Sequence, residues 1–105
     1  METSFKRKTT MYAFVEKDMY DAEECDIHVF NSEKEAIEKM NQVVNVEIGL
    51  FVRDMGYAPY VTENKEKNQI TMIHCHPEDY ITLSGDSEEE IPRTDFRVVK
   101  ATVHL

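Results

Sequence analysis

The sequence predicts an α+β fold in which one amphipathic helix packs on an antiparallel sheet of about five strands, in the order ββαβββ. Three observations predict it. Residues 32–55 carry a single apolar stripe at helical spacing. The segments on either side are short and rich in β-branched and aromatic residues, bounded by polar turns. A helix with one apolar side must cover a sheet face, and hairpin-like pairs before and after it favour antiparallel strands. At 105 residues the chain is one domain with room for one modest core.

The elements follow in order. Met1 to Thr9, with Lys6, Arg7 and Lys8, lacks periodicity and reads as a flexible arm, leaving residues 10–105 as the domain. Thr10 to Val15 reads as a strand, Glu16 to Asp26 as an acidic loop and Ile27 to Phe30 as a second strand. Ser32 and Glu35 make a capping box, each side chain serving the other's end of the first turn. Ile37, Met40, Val44, Ile48, Phe51 and Met55 then recur three and four apart. Glu33 and Glu35 suit the positive end of the helix dipole, and Gly56 supplies the stop. Val43, Val44, Val46 and Gly49 are poor helix formers, so this helix depends on docking its stripe.

Beyond the helix, Tyr57 to Val61 reads as an edge strand because of Pro59, and Glu63 to Asn68 as a charged turn. Gln69 to Cys75 is strongly β-forming and is ended by Pro77. Tyr80 to Leu83 reads as a short strand, and Ser87 to Asp95 as an acidic loop. Phe96 to Leu105 is the last strand. Its set Val99, Ala101, Val103 and Leu105 is assigned to the core, and an exposed edge there would permit a homodimer.

The net charge is −9 and the sequence pI about 4.8. That balance argues against direct nucleic-acid binding and against an anionic membrane, both of which need clustered Lys and Arg. No apolar run approaches a membrane span, and the first residues lack the apolar core of a secretory signal, so a cytoplasmic location is expected. Cys25 and Cys75 are then expected as free thiols.

Chemistry-bearing motifs are sparse. There is no Walker A, GxSxG or GxGxxG pattern. No carboxylate pair stands out as acid and base, and no cofactor is implied. His74 and His76, two apart in one expected strand, would share a face and could hold a metal ion with help from His28, His104, Glu78 or Asp79. Such a pair is also common by chance. Cys75 would point away from both, which excludes a Cys–His nucleophile and base.

Charge is the most uneven feature. Residues 16–26 carry −5 and residues 78–90 carry −6, together two more than the whole chain's net charge. Asp18, Asp21, Glu23 and Glu24 mark the first run, and Asp86, Glu88, Glu89 and Glu90 the second. Neither run has EF-hand spacing. Acidic loops also serve solubility alone. The functional expectation is a non-enzymatic module binding a basic protein surface. Its nucleic-acid-like charge fits the type of small inhibitor found among phage and mobile-element proteins. The alternatives are a metal-binding protein using the His-x-His pair and a small-molecule binder with a pocket between helix and sheet.

Overall fold

The computed structural model describes residues 8–18, 25–83 and 91–104. They form β1 (Lys8–Asp18), β2 (Cys25–Phe30), α1 (Glu33–Met55), β3 (Tyr60–Asn64), β4 (Gln69–Ile73), α2 (Pro77–Leu83) and β5 (Arg93–His104). The five strands make one antiparallel sheet in the order β2-β1-β5-β4-β3. An α+β fold with one main helix is therefore what the chain adopts.

Register decides which side chains α1 covers. Phe14 stands opposite His28 on one side and Val98 on the other, and Phe96 stands opposite Ile70. Cross-strand partners share a face. Phe14, Ile70, Met72, Phe96 and Val98 thus form one apolar floor, closed from above by Ala36, Met40 and Val44 of α1. Phe14 and Phe96 are 1% and 0% exposed and stack in parallel at 6.4 Å between centroids.

α1 begins and ends where the sequence indicates. The Ser32 side chain accepts a hydrogen bond from the Glu35 backbone N–H at 3.2 Å. Gly56 closes the helix at φ +81°, its N–H donating to the Val52 carbonyl at 2.8 Å. Only glycine takes that conformation without strain. Met40 and Val44 of the stripe are buried together with Ala36, Ile37 and Ile48 pack partly buried against them, and Met55 is 51% exposed.

Several expectations are corrected. Strand β1 starts at Lys8 and runs through Glu16 to Asp18, so the acidic connection shortens to residues 19–24. The strand after the helix starts at Tyr60 rather than Tyr57. Tyr80 to Leu83 is helical, the end of α2. Pro77 at its first position and Glu78 and Asp79 in its first turn are ordinary helix-start chemistry, and they outweigh the β propensity of Tyr80 and Ile81. The core side of β5 is the one bearing Phe96 and Val98, while Val99 is half-buried and Ala101 exposed on the other. Nor is β5 an edge: it lies mid-sheet, paired with β1 throughout Thr94–His104 and with β4 over Arg93–Arg97. Beyond Val98, whose N–H donates to the Asn68 carbonyl, its β4 side has no partner strand among the described residues.

The face away from α1 is covered at one end. Tyr60 and Ile73, cross-strand partners, lie on it, and Tyr60 stacks on Tyr80 of α2 at 4.6 Å. Ile73 is buried there. Toward β1 and β2 the same face carries Val15, Ile27 and Val29, of which Ile27 is 59% and Val29 56% exposed.

Candidate functional site

The strand register gathers the acidic segments. Asp18, at the end of β1, pairs with Thr94 at the start of β5. Lys17 pairs with both Cys25 and Asp95, and Arg93 pairs with Ile73, the last residue of β4. The tip of the β1–β2 hairpin, the start of β5 and the end of β4 therefore share one end of the sheet. Segment 19–24 leaves and re-enters the fold at Asp18 and Cys25. Segment 84–90 re-enters at Ile91, which is buried and followed by Pro92, whose carbonyl accepts a 2.8 Å hydrogen bond from the His74 N–H. Both acidic connections are rooted at this end, and the exposed Glu78 and Asp79 open α2 immediately after β4.

Of the sequence-derived docking residues, Asp18 is described and half-exposed, at the last position of β1. Asp21, Glu23, Glu24, Asp86, Glu88, Glu89 and Glu90 lie outside the described residues.

Next to this end, a cleft of about 400 Å³ opens between α1 and the β1–β2 pair. Phe14 and His28 stack at 5.8 Å in its floor, and Glu16, Asp26, Glu47 and Lys39 line it. Burial, and after it repulsion from Glu47, Asp26 and Asp18, pushes the Glu16 carboxyl above the usual carboxylate range. This cluster is not evident from the sequence alone. Glu16 and Asp26 read as loop residues from the sequence alone, and Glu47 joins them only through the packing of α1 on the sheet. The alternation of Phe14 with Glu16 along one strand face was the available signal.

His74 and His76 follow β4 rather than lying within it. The His74 ring sits edge-on to Phe51 at 5.8 Å between centroids, with its Nε2 3.0 Å from the Thr94 hydroxyl. That contact satisfies buried Thr94. The His76 ring packs against Tyr57 at 5.3 Å, and its Nδ1 accepts a 3.1 Å hydrogen bond from the Glu78 N–H. A backbone donor in the first turn of α2 is thereby capped. Each ring already holds a partner within the fold. Among the described residues, no group of three or more His, Cys, Asp or Glu side chains is arranged to hold a metal ion. Cys25 is exposed and Cys75 half-buried, both as free thiols, and burial raises the Cys75 thiol above its ordinary range, with a further push from Asp79. No helix among the described residues is long and apolar enough to cross a membrane.

Comparison of the chain with protein-family models, with curated proteins and with solved structures finds no match in any of the three.

Proposed function

We propose that the chain is a small non-enzymatic interaction module that docks a basic protein surface through its acidic sheet end. The observation that supports this reading is the Asp18–Thr94 register, which roots the 19–24 and 84–90 segments at one end of the sheet. Between them, residues 16–26 and 78–90 hold more negative charge than the whole chain nets. Charge concentrated in this way speeds encounter with a cationic surface and orients the approach. It also matches what a nucleic-acid-binding cleft is built to receive, so inhibition of a nucleic-acid enzyme by occupying that cleft is the role that fits best.

The test is affinity capture with the intact chain at low and high salt, followed by a binding measurement on the purified partner. The expected partner is basic, and its affinity falls steeply as salt rises past the point where the screening length is about 8 Å. Changing Glu88, Glu89 and Glu90 to Lys turns −3 into +3 locally. Binding is then lost while the circular dichroism spectrum is retained. Equal binding by the reversed variant would refute the proposal.

A further inference from the structure

Strand β2 ends the sheet, and among the described residues nothing pairs with its outer side. Five of its six residues are exposed. Unpaired edges are normally guarded by Pro, by Lys or by clustered charge. The opposite edge, β3, carries Glu63 and runs into Lys65, Glu66 and Lys67. β2 has neither Pro nor Lys, and Asp26 is its one charged residue. Its exposed Ile27 and Val29 lie side by side on the sheet face that α1 leaves bare.

We propose that β2 is the seam of a homodimer, in which two copies pair their β2 strands antiparallel about a dyad at His28. The occupant is a second copy because the strand is complementary to itself. In this register Ile27 faces the other copy's Val29, twice, as β-branched cross-strand pairs of the kind that stabilise sheets. Asp26 faces Phe30, so no carboxylate meets its own copy. The two sheets join into one of ten strands, and the bare apolar rows of Ile27 and Val29 become continuous.

The charges above the strand are less opposed in this arrangement than in a parallel one. At the Phe30 end, the groove between α1 and β2 is lined by Lys39 with Glu35 and Glu38. At the Asp26 end it is lined by Glu16, Asp26 and Glu47, and Lys39 reaches it as well. Parallel pairing would set that second trio against its own copy. The dyad instead sets it opposite the Phe30 end, whose lining carries one acid fewer. It also carries the two acidic sheet ends in opposite directions, which limits repulsion between chains of net charge −9.

Light scattering on the intact chain across a concentration series tests this. The expected result is a monomer–dimer equilibrium, with Ile27→Lys/Val29→Lys weakening association at least about 100-fold because like charges then face each other across the seam. Ile27→Thr/Val29→Thr, which keeps β-branched residues in the strand, weakens it too and guards against misfolding of the lysine variant. In a Cys25→Ser/Cys75→Ser background, His28→Cys gives a covalent dimer on mild oxidation, since the dyad sets position 28 against itself. A chain that stays monomeric up to millimolar concentration overturns the proposal. So does a dimer indifferent to both double variants, or a His28→Cys protein that yields no covalent dimer.

Discussion

Glu16 occupies the helix-facing side of β1, where the core gives way to the acidic sheet end. Its carboxyl is held above the usual range, first by burial and then by Glu47, Asp26 and Asp18. An acid whose folded pKa is raised binds its proton more tightly in the native state. It therefore favours folding below the ordinary carboxylate range and opposes it once the pH rises through the folded pKa. Glu16→Gln is expected to raise the melting temperature at pH 7, with the gain disappearing below about pH 4. Thermal melts of both proteins across pH check this, and a gain that persists into acid would mean that the half-buried charge of Glu16 is not its source. A second residue-scale contrast lies on β5. Phe96→Ala, at a site with no exposure, should cost about 3–5 kcal/mol by cavity formation. Val99→Ala, on the half-open face, should cost about 1 kcal/mol or less. Urea unfolding of the two variants reads the difference directly. From Val98 onward, the alternation in the sequence makes the Val99 face the more apolar of the two. Phe96, which shares the parity of Val98, marks the core side.

At the scale of elements, α1 was legible because independent signals agree on it: the cap at Ser32, the apolar stripe and the stop at Gly56. Its two glycines should respond to alanine with opposite sign. Gly49 lies mid-helix with open space where a Cβ would go, so Gly49→Ala should stabilise the fold by about 0.5–1 kcal/mol. Gly56 has φ +81°, so Gly56→Ala should destabilise by about 1 kcal/mol despite equal room. Ser32→Ala should also cost about 1 kcal/mol through the lost cap. Equilibrium denaturation measures all three, and a stabilised Gly56→Ala protein would contradict the stop. The short elements were harder to read. In α2, Tyr80-Ile81-Thr82 is β-like by propensity, whereas helix formation is set by Pro77, two acids and a capping contact from His76. That contact is local, from the residue before Pro77 to a backbone N–H two positions on, and histidine is a weaker cap signal in a sequence than Ser, Thr, Asp or Asn. His74 and His76 share a face only if the strand runs through them, whereas β4 stops at Ile73 and each ring turns to a partner of its own.

For the whole molecule, the fold class follows from the pattern of elements, but strand order does not. Local sequence cannot announce that the last strand inserts between β1 and β4, because that pairing is long-range. Yet this insertion sets Thr94 beside Asp18 and so roots two acidic segments, far apart in the chain, at one end. The unequal charge was visible in the sequence; the shared end was not. The docking account is tested most directly by the affinity of the captured basic partner for three variants. One has Asp21, Glu23 and Glu24 changed to Lys, a second has Glu88, Glu89 and Glu90 changed to Lys, and the third carries both sets. The account predicts that each set alone weakens binding at least about tenfold and flattens its salt dependence. If either segment can be reversed with affinity and salt dependence unchanged, the two do not act as one docking surface.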